Sequence, residues 1–134
     1  NASSGTYIAY CFASINSYSK IGKYTGNQNA DGVFVYLGFK PAFVMIKRFS
    51  TGNPSATNWQ MFDSKRLGYN VDNNQLQANL SNAEGTDDDL DLLSNGFKLR
   101  GTGADLNHSG HNYIYMAFAE NPFVASNFVP ATAR

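Results

Sequence analysis

Apolar residues along the chain recur in short runs, alternating with polar positions or continuous, and turn-forming residues separate them. That is the period of strands, not the 3.6-residue period of helices. Residues 7–13 (Tyr-Ile-Ala-Tyr-Cys-Phe-Ala) form the first run. Residues 33–39 and 43–49 follow, separated by Lys40, Pro41 and Ala42; proline fixes φ and donates no hydrogen bond, so a tight connection between two strands is predicted. Residues 58–63 alternate, with Trp59 and Met61 on one side and Gln60 and Phe62 on the other, and 75–80 alternate Leu76, Ala78 and Leu80 against Gln75, Gln77 and Asn79. Each predicts a strand with one face buried. Residues 89–93, the link Ser94-Asn95-Gly96 and residues 97–100 predict a hairpin, because Asn-Gly favours positive φ at both central turn positions. The last run, 112–119, ends at Glu120, Asn121 and Pro122, and 123–134 reads as an extended tail.

The first and last runs echo each other: 7–13 and 113–119 share Tyr, Ile, Phe and Ala at the same places. A repeat this short makes no solenoid. It predicts instead that the first and last strands pair and close the frame. About eight strands and no strong helical pattern predict an all-β fold, an antiparallel β-sandwich of jelly-roll, lectin-like type, with a barrel as the alternative. The sandwich spans residues 1–122, and residues 123–134 form a tail that docks on its own or a neighbouring subunit through Phe123, Phe128 and Val129.

Composition narrows the function. At 134 residues the chain fits one domain with a true core. Ten basic and ten acidic side chains cancel, so no field of one sign gathers nucleic acid or anionic lipid. No apolar run approaches the ~20 residues that cross a bilayer, so membrane insertion is not expected. The single cysteine, Cys11, makes no internal disulfide and reads as a small core residue. The chain opens on Asn1, and we expect a fragment of a longer protein. Sixteen Asn, 12 Ser and 12 Gly supply turns and left-handed positions, which again favours strands joined by long loops.

Catalysis finds little support. The two histidines, His108 and His111, lie in a Gly- and Asn-rich stretch, and no serine sits in a nucleophile elbow. Two imidazoles without a local carboxylate or thiolate read as polar loop residues rather than a metal clip, and no metal ligands are assigned. The acidic stretch 84–91 is the densest set of oxygen donors, a weak candidate for Ca²⁺, but it departs from EF-hand spacing and reads as a solvated strand face behind an acidic loop. No cofactor is expected. Asp31, Asp63 and Asp72 offer no defined carboxylate pair. Lys47 and Arg48 read as charges closing an apolar strand.

Binding fits better. Sugar recognition uses an aromatic face with planar amides or guanidinium groups on loops held by a rigid frame. Tyr18, Tyr24 and Asn27 offer that combination in one loop, and Arg66, Tyr69 and Asn70 in another. Trp59, alone on an alternating strand, reads as core. Lys23, Gly26 and Asn27 around Tyr24 argue for its exposure.

Several pieces also resemble a known family: Tyr18-Ser19-Lys20 with Gly22 and Tyr24-Thr25-Gly26-Asn27; Phe34-Val35-Tyr36 and residues 38–48; Trp59, Asp63 and Arg66; residues 93–100; and residues 113–122. In order and spacing they resemble a domain of unknown function found near the C-terminus of tail-fibre-like virion proteins of tailed bacteriophages. The resemblance implies a non-enzymatic part of a virion, exposed at the particle surface, in a homotrimer with other phage proteins as partners. It carries no catalytic or binding residues. The leading expectation is a fibre or spike tip that attaches to host-surface glycan or protein. The alternative is a structural, capsid-decoration or fibre-assembly domain that docks on other phage proteins.

Overall fold

A computed structural model describes residues 4–50, 58–66, 70, 74–87 and 89–122. Eight strands carry the fold: β1 (Ser19–Thr25), β2 (Phe34–Tyr36), β3 (Pro41–Arg48), β4 (Gln60–Asp63), β5 (Leu76–Gln77), β6 (Leu90–Leu93), β7 (Gly96–Leu99) and β8 (Asn112–Ala119). No helix occurs among the described residues. The strands form two antiparallel sheets, β1-β8-β3-β4-β5 and β2-β7-β6. The fold is all-β, as expected.

The pleat decides which side chains meet. From the larger sheet, Tyr24, Val44, Ile46, Phe62, Tyr113, Tyr115 and Ala117 turn inward; from the smaller, Val35, Leu90, Leu92, Phe97 and Leu99 do so, and all are buried. Phe97 ties the layers together, edge-on to Tyr115 at 5.4 Å and to Tyr24 at 6.2 Å between ring centroids. The 89–100 segment forms the predicted hairpin, and Leu90 and Leu92 point inward while Asp91 does not. Its turn differs from the expectation. Leu93 pairs with Gly96, which leaves Ser94 and Asn95 as the loop, and none of these residues has positive φ. Gly96 is needed for space: a Cβ there would lie 2.1 Å from the Val35 carbonyl oxygen of the neighbouring strand.

The last strand does pair with the first, but the first strand is Ser19–Thr25 and not residues 7–13. Residues 5–14 join no ladder and are exposed, so Cys11, expected in the core, is exposed as well. Tyr24, expected at the surface, is 7% exposed. Its ring stacks on Tyr113 at 5.0 Å and 9°, and its hydroxyl donates to the Leu106 carbonyl at 2.7 Å. The Tyr113 hydroxyl accepts from the His108 N–H and donates to the Ala104 carbonyl, both at 2.8 Å. These two phenols hold the loop between β7 and β8 against the end of the sandwich. Burial raises the pKa of both, that of Tyr24 strongly, so both stay neutral well into alkaline solution.

Candidate docking surface

The larger sheet has a second apolar face. Strands buried on one side alternate apolar and polar residues, whereas β3 and β8 are apolar at nearly every position, the pattern of strands covered on both faces. The register shows the consequence. Ile21 of β1 pairs with Met116 of β8, Met116 with Met45 of β3, Met45 with Met61 of β4, and Met61 with Leu76 of β5. One apolar row therefore crosses all five strands on the face away from the core. It contains every methionine of the chain. Each member keeps part of its surface open to solvent.

Two further rows flank it. On one side Phe118 pairs with Phe43 and Phe43 with Asp63; on the other Ile114 lies between Lys23 and Lys47. Trp59 precedes the buried Gln60 and so projects to this outer face, where the Lys47 ammonium sits 5.4 Å from its ring centroid. The expectation that Trp59 belongs to the core is thus corrected. Charge is confined to the margins of the face, as in protein interfaces with an apolar centre and a polar rim.

The exposed segment 5–14 reaches the same face. Ile15 and Ser19 exchange backbone hydrogen bonds at 2.9 Å, and Ser14 Oγ accepts the Ile21 N–H at 3.0 Å, so the segment starts beside the outer edge of β1. Phe12 lies edge-on to Phe118 at 6.1 Å, and Tyr18 meets the same ring at 6.1 Å. Tyr10 and Ile8, which precede Phe12, are each 81% exposed.

Most of the described residues expected to bind sugar are engaged within the fold. Tyr24 is core, and Tyr18, still 42% exposed, packs on Phe118. The Asn27 side-chain oxygen accepts the Asn29 N–H, while its own N–H donates to buried Asn107. Arg66 is held between Asp63, at 2.8 Å, and Glu84. Hydrogen bonds donated by Asn74, and then by Arg66, lower the Glu84 pKa, while the bond that Arg66 donates to Glu84 raises that of Arg66. The Asn70 amide accepts the Leu92 N–H and donates to its carbonyl, both at 2.7 Å, as an added strand residue would. Tyr69, Asp72, Phe123, Phe128 and Val129 lie outside the described residues.

Other features stand apart from the outer face. An open groove of about 330 Å³ runs between the turn before β1 and the end of β2, lined by Ser14, Asn16, Ser17, Lys20, Tyr36 and Phe39. Tyr36 is 58% exposed, with the Lys20 ammonium 5.2 Å from its ring centroid and bonded to its carbonyl at 2.8 Å. His108 and His111 stand edge-on at 4.7 Å, and His111 Nδ1 lies 2.9 Å from Ser50 Oγ. That oxygen accepts the Asn112 N–H at 3.0 Å, so it fixes the start of β8. β3 closes on Lys47 and Arg48, as expected, and Arg48 is 3% exposed. Among the described residues no three His, Cys, Asp or Glu side chains converge as metal ligands, and no helix is long and apolar enough to cross a membrane.

A family model described as a domain of unknown function (DUF7483) matches residues 1–122, and the chain belongs to that family. No curated protein and no solved structure matches it.

Proposed function

We propose that the domain is a non-enzymatic docking module of a tailed-phage virion appendage, carried at the particle surface and joined to other virion proteins. The phage setting rests on the resemblance of residues 7–134 to tail-fibre-like proteins. The docking role rests on one observation: the larger sheet is apolar on both faces, and only one of them serves the core. A methionine-rich row suits that use, since the flexible thioether adapts to a partner's contour. In an intact particle, cryo-electron microscopy should find the Ile21–Met116–Met45–Met61–Leu76 row covered by protein. Finding it open to solvent on every copy rejects the proposal.

The groove at Tyr36 supports a second reading, attachment to a host-surface glycan. An exposed phenol ring with Lys20, Ser14 and Asn16 around it supplies the stacking face and hydrogen-bonding groups such a ligand needs. Under this reading Tyr36→Ala abolishes binding to host cells and leaves the fold intact; binding that survives the substitution removes the groove as the site.

A further inference from the structure

Among the described residues two apolar surfaces stay open to solvent, the first in part, and they adjoin. One is the methionine row with Phe43, Phe118 and Ile114 beside it; the other is the segment 8–15. Ile8 and Tyr10 are 81% exposed, Phe12 55% and Ile15 54%. With ~200 Å² for each large aromatic side chain and somewhat less for isoleucine, this segment alone shows on the order of 500 Å² of apolar surface. Extended apolar segments of that size are uncommon on a monomer's surface. The position of the segment matters too: Phe12 already touches Phe118 at the edge of the outer face, and Tyr10 and Ile8 before it are open to solvent.

We propose that residues 8–13 of one copy lie on the outer face of the five-stranded sheet of a second copy, so that the domain builds a closed homo-oligomer by exchanging this arm. The proposal rests on the docking reading above and names its partner. The arm carries Ile, Tyr and Phe at alternate positions, with Ala9, Cys11 and Ala13 between them. Laid flat, it would turn three large side chains to the methionines and three small ones away. Each contact covers the arm and a like area of sheet. Without Ile15, which stays bridged to Ser19, the arm offers about 400 Å², so two contacts in a reciprocal pair remove about 1,600 Å², the size of a stable protein interface. The likeness between 7–13 and β8 acquires a meaning here: both are apolar segments shaped to lie in or on this sheet, one within the copy and one between copies.

The test uses the 134-residue chain and a variant that spares the fold. Ile8→Asp with Tyr10→Asp alters two side chains that are 81% exposed, so the isolated sandwich keeps its melting temperature. The unchanged chain should sediment as an oligomer at micromolar concentration, and the variant as a monomer whose association is weaker by about 100-fold or more. Cys11, the only cysteine, accepts a benzophenone label within the arm. In a mixture of ¹⁴N and ¹⁵N chains, its cross-links should join light to heavy chains. A monomer at every concentration overturns the proposal, as does association that survives the variant. Cross-links confined to single chains also overturn it, because the arm would then fold onto its own sheet. The docking reading is separable: if the chain is monomeric but Met61→Lys, with its fold intact, prevents incorporation into particles, that reading stands and the self-partner fails.

Discussion

Replacing Tyr113 by Phe removes one oxygen from a fully buried ring and two hydrogen bonds with it. The His108 N–H and the Ala104 carbonyl lose their partner at the margin of the core, while the ring still stacks on Tyr24 and fills the same volume. A net hydrogen bond contributes about 1 kcal/mol, and a buried group left unpaired costs more. The expected loss is therefore about 2 kcal/mol. Tyr24→Phe gives the internal scale, since its hydroxyl makes one bond, to the Leu106 carbonyl, and should cost about 1 kcal/mol. Urea unfolding of both variants and of the double variant measures these differences, with the denaturant slope unchanged if the loop stays in place. A Tyr113→Phe cost no greater than that of Tyr24→Phe would refute the claim that two phenols clamp this loop.

Gly96→Ala places a Cβ 2.1 Å from the Val35 oxygen and should part β2 from β7, with a stability loss above about 2 kcal/mol in the same assay. Burial raises the pKa of Tyr24, Tyr113 and Tyr115, so the unfolded chain loses these protons first; stability holds below the ordinary tyrosine pKa near 10 and falls as pH rises through the folded values. Phenolate absorbance that appears together with unfolding would match this; tyrosinate forming fully at pH 10 in the folded protein would not. Asp105 is raised by burial, against a hydrogen bond from Gln60 and the charge of Arg48, so its ionised form is the costly one. One of its oxygens and Gln60 Oε1 are buried without hydrogen-bond partners. Asp105→Asn removes the charge and offers Gln60 a donor, and should raise the melting temperature at pH 7. The gain should shrink as pH falls through the raised folded pKa toward the ordinary aspartate value, because the folded wild-type carboxyl takes up its proton over that range; a lower melting temperature at pH 7 counts against this account.

The central strands were legible because burial leaves a pattern. β8 is found where the 112–119 run places it; the alternation at 58–63 is present too, but Gln60 and Phe62 face the core instead of Trp59 and Met61. β1 was not legible: Lys20, Gly22 and Lys23 interrupt its apolar pattern, which an edge strand tolerates because one side and one face meet water. Residues 7–13 misled for the converse reason. Apolar alternation records that a segment is to be covered, and does not say whether by its own ladder or by another surface. Tyr24 was judged by its sequence neighbours, yet the pleat turns Lys23 and Thr25 outward and Tyr24 in. The signal for the outer face was present in β3 and β8, apolar on both sides; only the register could show that all three methionines fall in one row.

Methionine oxidation tests the docking face most directly. Met45, Met61 and Met116 share the outer face, so peroxide followed by mass spectrometry reads its accessibility at three adjacent points. The account predicts that all three oxidise readily in dilute chain and in the Ile8→Asp/Tyr10→Asp variant, and become protected together when the chain assembles. Methionines already protected in the dilute monomer, or equally reactive before and after assembly, would contradict it.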